Sequence, residues 1–405
     1  QHERVLVEPL VDLAGLYTGT GRYIEASRTL DRAIQILRRD SGLYTRDQIP
    51  YVQKKIENFA TALDWENARQ QMEHVNWLYL KKSEIADPLL VEDLLHLSDM
   101  HIRGINEDFK FYQSYHFRHA MRLNWSALRA AELIYGEEDE RLIPVMYNLI
   151  KQYHLQQVAV ERGGSLSYQL RAYFPGSDWV RERSEIKNYF YFMGRRLLNQ
   201  IVSIYSKSEL LHAEGLAMAI LYTADWQVLF GRDDEALNTY FEAYDQLENL
   251  YPNRVHLLFE QPKLLPLEKF YGSMESAMTA GEKAEESFLN AISTRSISFV
   301  EWGQGFPHAR QPYDIAKSIT LEGTEALFSF NLVGVPDIER WMDTRRAQNF
   351  DRAIDARIVE LIGGSAKQRE ILERRVQRLR FRPKLIEGLP QDIEVLLEYK
   401  MAPGL

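Results

Sequence analysis

The 405-residue sequence contains no cysteine, which excludes disulfides, thiolate metal sites and cysteine nucleophiles together. Long apolar runs are missing too. The longest in the middle of the chain, residues 215–224, reaches ten residues before Asp225 interrupts it, about half of what a membrane-spanning helix needs. A basic surplus is also absent: 49 Lys and Arg face 58 Asp and Glu, a net charge of −9. A general nucleic-acid binder needs the opposite balance. No HExxH, no GxSxG and no phosphate loop ending in Gly-Lys-Ser/Thr occurs. Gly19-Thr20-Gly21 lacks that ending, and Gly163-Gly164 and Gly363-Gly364 read as breakers. Four histidines, His96, His101, His116 and His119, crowd one stretch. Without a companion carboxylate spacing they read as ordinary helix-surface residues. The chain is therefore expected to be non-enzymatic, with no cofactor and no metal. Its Glu137-Glu138 pair reads as solvated charge in a turn.

What is present is abundant apolar and aromatic surface: 45% hydrophobic residues, including 22 Tyr, 18 Phe and 7 Trp. That excludes intrinsic disorder and low complexity. The length suits two domains or one elongated array. The net acidity lies wholly in the first 319 residues, because the 14 basic residues from Thr320 onward are balanced by 14 acidic ones. Residues 303–313, GQGFPHARQPY, carry two Gly and two Pro without periodic apolar pattern. They read as a linker. The expected division is 1–302, 303–319 as linker, and 320–405.

Before that linker, apolar residues recur at helical spacing almost everywhere. The clearest unit places Leu13, Ala14, Tyr17, Gly21, Ala26, Leu30 and Ala33 at the intervals of a tetratricopeptide repeat, which this region resembles. Small residues let two antiparallel helices approach, large ones fill the seam, and Gly21 permits the turn. The same intervals return at Gly231, Ala236, Tyr240 and Ala243. A weaker copy runs through Val52, Phe59, Trp65, Ala68, Met72 and Val75, with Leu63 where the turn glycine belongs. A second match repeats Ala33, Gly42 and Pro50 as Ala127, Gly136 and Pro144, each 94 residues on. Glycine there should end one helix and proline open the next. The aromatic-rich segment with Tyr168, Tyr173, Phe174, Trp179 and Tyr189 to Phe192 reads as a degenerate buried repeat, or else as a partner-binding surface.

From Thr320 the period changes. Residues 326–334 and 337–342 read as two strands, 350–361 as an extra helical segment, and 365–379 as an amphipathic helix. Arg380 to Leu385, a turn at 387–390, and a closing strand over 392–401 follow. The stretch with Arg380, Phe381, Arg382, Pro383, Gly388 and Pro390, followed by alternating Ile393, Val395, Leu397 and Tyr399, resembles the carboxy-terminal domain of TonB-type energy transducers. The likeness spans about the last fifth of the chain. The resemblance implies a β-β-α-β fold that pairs an exposed edge strand with a partner segment. It departs from the family in the longer stretch 343–364, and lacks a membrane-spanning amino terminus and a Pro-rich segment. Energy transduction is therefore not implied.

The reading is a mainly α fold: a tetratricopeptide-like α-solenoid followed by a small α+β (β-β-α-β) TonB-like domain. Its expected function is a protein-interaction scaffold in a bacterial envelope assembly, or alternatively a structural subunit that self-assembles through the final strand. The leading helix of each repeat is expected to line a groove bearing Glu8, Val11, Gln53, Glu57, Leu221 and Asp225. An edge strand with a basic patch is expected at Arg378, Arg380, Arg382, Lys384, Asp392, Glu394, Leu396 and Glu398. Eight basic residues against two acidic ones between Lys367 and Lys384 read as a solvated face or as a seat for an anionic envelope polymer. Protein partners, another copy included, are expected, and nucleic acid and a transmembrane span are not. The start at Gln1 without Met suits removal of a signal peptide, hence an exported chain in the periplasm or at the outer surface.

Overall fold

The computed structural model describes residues 3–82, 87–172, 182–207, 213–267, 269–279, 308–309, 313–314, 325–334, 350–352, 354–361, 369–370, 373, 376 and 377–400. The chain divides into two compact units, residues 1–137 and 138–405.

The first unit contains three helical hairpins: α1 (Val7–Gly19) with α2 (Tyr23–Ser41), α3 (Ile49–Thr61) with α4 (Trp65–Lys82), and α5 (Pro88–Glu107) with α6 (Gln113–Tyr135). The second has α7 (Ile143–Arg162), α8 (Gly164–Ala172), α9 (Arg183–Lys207), α10 (Ala213–Leu229), α11 (Asp233–Leu250) and α12 (Val255–Phe259). There α7 packs on α9, and α10 lies between α9 and α11. This is the expected mainly α, tetratricopeptide-like architecture with a small α+β region at its carboxy-terminal end.

Three hairpins close by the same device. Gly21, Leu63 and Gly231 have φ of 75°, 60° and 70°. The next residue's amide reaches five positions back, from Arg22 to Tyr17, Asp64 to Phe59 and Arg232 to Gln227, at 2.8, 2.8 and 2.9 Å. Those bonds satisfy carbonyls left over at the helix end. Five residues after each turn residue stands a fully buried alanine, Ala26, Ala68 or Ala236, so small side chains mark the helix crossing in all three. The 94-residue echo is equally physical: Gly42 and Gly136 end α2 and α6 with φ of 98° and 93°. Thr45 and Asp139 then cap matching single turns of 3-10 helix, and Pro50 and Pro144 lie in the first turns of α3 and α7. In the second unit a Cβ added at Gly194 would sit 2.1 Å from the Trp226 ring. The missing side chain is what lets α9 receive the indole, whose Nε1 donates to the Tyr191 carbonyl at 3.0 Å.

Among the described residues, nine short strands complete the second unit: β1 (Lys263–Leu265), β2 (His308–Ala309), β3 (Tyr313–Asp314), β4 (Glu325–Leu332), β5 (Ile354–Leu361), β6 (Arg380–Arg382), β7 (Leu385–Ile386), β8 (Leu389–Pro390) and β9 (Ile393–Lys400). Strand β9 pairs antiparallel with β4 from Glu325↔Lys400 to Leu332↔Ile393, and on its other side with β2 and β3. The expectation that the final strand is a free edge is therefore corrected. Asp392 lies beside its start, and Glu394, Leu396 and Glu398 belong to an interior strand. Residues expected to be linker supply β2 and β3, because Tyr313↔Leu396 and His308↔Lys400 complete the ladder. A second correction concerns residues 350–361, which were expected to be helical. They contain β5, paired with β4. Phe350, Ile354, Ile358 and Leu361 mimic helical spacing, but β-branched Ile354, Ile358 and Val359 favour the pleated alternative. The expected strand at 337–342 and most of the expected helix at 365–379 lie outside the described residues. The turn at 387–390 is present as a hairpin joining β7 to β8, with Glu387 and Gly388 at φ of 52° and 78°. Strand β6 does not join the main sheet. It pairs with β1, in the register Lys263↔Arg382 and Leu265↔Arg380, which draws the carboxy-terminal region onto the helical part of its own unit. Among the described residues no helix is long and apolar enough to cross a membrane.

Candidate interaction faces

In the second unit the leading helix α10 carries two expected groove residues, Leu221 and Asp225, and neither is open. Both are buried. Asp225 accepts from Arg382 Nε at 3.0 Å and from its terminal nitrogen at 2.5 Å, while the Tyr240 hydroxyl donates to the same carboxylate at 2.8 Å. The Arg382 guanidinium also lies 5.6 Å from the centroid of the Tyr222 ring. Burial alone would lower the basicity of Arg382, but the Asp225 carboxylate more than offsets it. Burial, with Asp225 adding to it, pushes the Tyr240 hydroxyl well up and keeps it a donor.

The stretch after α12 is held on this face by backbone capture. The Tyr147 hydroxyl of α7 donates to the Leu267 carbonyl at 3.0 Å. The Tyr222 hydroxyl donates to the Lys269 carbonyl at 2.8 Å and accepts from the Tyr271 amide at 3.0 Å. Helical side chains thus grip main-chain groups of Leu267, Lys269 and Tyr271, and Asp225 grips one arginine from a neighbouring strand.

The expected basic patch dissolves accordingly. Arg382 is buried in its ion pair, and Arg380 lies 3.2 Å from the buried Asp351 carboxylate. Arg378 is exposed and Lys384 half-buried. The cause is packing: β6 pairs with β1, which sets Arg382 against α10 and Arg380 against Asp351 rather than leaving them in solvent. Glu394 accepts from Ser329 Oγ at 2.8 Å, and Asp392 accepts from the Gly334 amide at 2.6 Å, so these carboxylates are ties within the sheet.

In the first unit the leading helices present a different face. Gln53 of α3 donates to Asp93 Oδ1 of α5 at 3.0 Å and to the Tyr79 hydroxyl at 3.2 Å. Glu57, whose side chain is 49% exposed, meets His96 Nε2 at 3.0 Å. That hydrogen bond raises the basicity of His96 against the opposing effect of burial. Glu8 is exposed on α1. Val11 is not a groove residue: it packs against the clusters of Val7, Ala33 and Leu37 and of Ala14, Ala26 and Leu30 inside the first hairpin.

The histidines were expected on helix surfaces, and two of them are corrected. His101 and His116 are buried, with their Nδ1 atoms 3.0 Å apart, and His116 Nε2 lies 2.9 Å from Asp108. With His116 Nε2–H donating to the carboxylate, its Nδ1 accepts from His101. Arg69 pairs with Asp108 and stacks 3.5 Å from the Tyr112 ring centroid. A Cβ at Gly104 would meet the His116 ring at 2.5 Å, so that glycine admits the imidazole. Burial pushes His101 and His116 down and brings His119, stacked on His101, to about 4. Burial alone would raise Asp108, but the bonds from His116 and Arg69 hold it below the usual carboxylate range. Among the described residues no three side chains are arranged to hold a metal ion. The network backs an open cleft of about 610 Å³ whose walls include Trp65, Arg69 and Tyr112, with Phe109 74% exposed at its rim. The sequence signal for it was present in His101, Gly104, Asp108 and His116 on consecutive elements, but no motif links them. Of the aromatic-rich segment, Phe190 and Tyr191 are buried while Tyr168 and Phe192 are exposed. Tyr173, Phe174 and Trp179 lie outside the described residues.

No family model matches the chain, and no curated protein sequence matches it. Among the solved structures that align with it are the nearly identical TPR-like repeats of a kinesin light chain-like protein from Podosopora anserina, and the same repeats carrying one substitution. Both are 12% identical and cover 62% of this chain. The substituted form is covered over 98% of its length with a TM-score of 0.40, and the other over 100% with 0.41.

Proposed function

We propose that this chain is a protein-interaction scaffold whose helical faces hold extended peptide segments and which performs no chemistry itself. The observation that carries the reading is the second unit's own arrangement. Tyr147 and Tyr222 hold main-chain groups of Leu267, Lys269 and Tyr271, and Asp225 holds Arg382. A face that binds its own chain in this way has the chemistry to bind another. The first unit offers leading helices of the same kind with their polar side chains half exposed.

The setting we propose is an exported, envelope-associated one in a bacterium, periplasmic or at the outer surface. The support is the likeness of Arg380-Phe381-Arg382-Pro383 and the closing strand to TonB-type domains. Docking through the final strand is not part of the proposal, since β9 is paired on both sides. The test is site-specific photo-crosslinking in intact cells with the probe at Glu57, and separately at Glu242 on α11. Capture of a defined protein from Glu57 and not from Glu242 supports the reading. Capture from neither position overturns the interaction role, and recovery of the chain in the cytosolic fraction overturns the setting.

A further inference from the structure

Asp225 stands six residues before the left-handed turn residue Gly231, and Glu57 stands six residues before Leu63, the left-handed turn residue of its own hairpin. Those two turns share φ and hydrogen bonding, so the carboxylates occupy equivalent positions on equivalent leading helices. One holds a buried arginine delivered by a strand. The other meets the 39% exposed imidazole of His96, a weak and displaceable partner.

We propose that the face of α3 and α5 in the first unit binds an extended, arginine-bearing segment of a partner protein, with Glu57 holding the arginine as Asp225 holds Arg382. The inference rests on the scaffold reading and adds the partner's chemistry to it. The neighbouring charges favour a cation. Asp93 lies on the same face, bonded to Gln53, and Glu8 and Asp12 are exposed on α1, the leading helix of the adjoining hairpin. Arg46 pairs with Asp87 and Asp93 and offsets them, and Lys54 is exposed on α3, so the acidic excess on this face comes from Glu57, Glu8 and Asp12. An arginine suits the site better than a lysine because its planar fork can take the Glu57 carboxylate bidentately. Gln53 adds a polar side chain able to bond a main-chain amide or carbonyl once it leaves Asp93.

The experiment is a fluorescence titration of the intact protein with the nine-residue peptide RLRFRPKLI, the sequence of residues 378–386. Matched peptides carrying Gln or Glu at the four basic positions serve as comparisons. Saturable binding of the basic peptide is expected, weakening with salt, by about threefold for Glu57→Gln and about tenfold for Glu57→Lys. Glu242→Lys on α11 should leave it unchanged. Hydrogen exchange should slow in α3 and α5 on binding. Indifference to both Glu57 substitutions, no binding of the basic peptide, or protection confined to α7 and α10 each overturns the proposal. If the Gln or Glu peptide binds at α3 and α5 instead, the scaffold reading stands and the charge assignment falls.

Discussion

The two units place acidic side chains at one register position of their leading helices and then treat them in opposite ways. Asp225 is sealed beneath Arg382 and Tyr240, whereas Glu57 is half in solvent beside His96. The lesson is that repeat register decides where a side chain points, while the segment laid over it decides whether that side chain is a structural tie or an available contact. Burial is what separates them energetically. An exposed ion pair is screened and contributes little, while a buried one is costly to half-remove because the remaining charge has no solvent.

The largest effect expected from breaking this contrast is at the sealed pair. Asp225→Ala or Arg382→Ala should destabilise the second unit by about 3–5 kcal/mol. Replacing both with apolar residues should recover much of that, as denaturant unfolding of the four proteins would reveal. Next comes Gly194→Ala, which drives a methyl into the Trp226 ring and should cost about 1–3 kcal/mol by overpacking, read as a lowered Tm. In the first unit, Leu63→Gly should stabilise by about 1 kcal/mol. It relieves a left-handed backbone under a leucine that is itself exposed. Glu57→Ala should change stability by no more than about 0.5 kcal/mol, so a loss of binding in that variant reports on contact rather than on folding.

Acidity sharpens the comparison further, because the two units respond with opposite sign. His101, His116 and His119 are depressed in the fold, so the unfolded chain takes up protons first. Their contribution is fully present above about 6.5 and is lost as the pH falls towards the folded values, which for His119 is about 4. The groups facing them act in two directions: Arg69, Arg118 and Arg122 disfavour protonation, and Asp108 favours it, while the Tyr115 hydroxyl donates to Glu73. Asp351 in the second unit is the reverse case. Burial raises it to about 7 even with Arg380 and Arg352 near, and Asp233 adds to the rise. Its contribution is present below the unfolded carboxylate range and is lost as the pH climbs to about 7. Hydrogen exchange at pH 7.5 and 5.5 should thus show α5 and α6 loosening on acidification while the contact of Asp351 with β6 tightens. Loosening of both would contradict the sign assigned to Asp351.

Much of the helical part was legible because its signals are local. Glycine at a left-handed turn, alanine where helices cross and proline in a first turn each act within a few residues, so Gly21, Ala26, Gly42 and Pro50 announced their hairpins. Leu63 was legible only through its neighbours, since nothing about leucine suggests φ of 60°. The groove positions were half legible: spacing located Glu57 and Asp225 on leading helices, but not which of them was covered. Residues 350–361 were misread because two periods fitted the same apolar residues. The buried pair of His101 and His116 was misread because a histidine's burial depends on a glycine across the helix interface.

By itself the sequence determined the hairpins, their turns and the strand character of residues 326–332 and 393–400, since backbone preference and side-chain period are properties of short stretches. Only the tertiary structure decided that β6 leaves the sheet for β1, that Arg382 finds Asp225 across 157 residues, and that β9 is interior rather than an edge. Those choices are made by long-range pairing, in which a strand takes whichever partner best satisfies its backbone and its charges. Such a partner, being remote in the chain, leaves no mark on the residues around it.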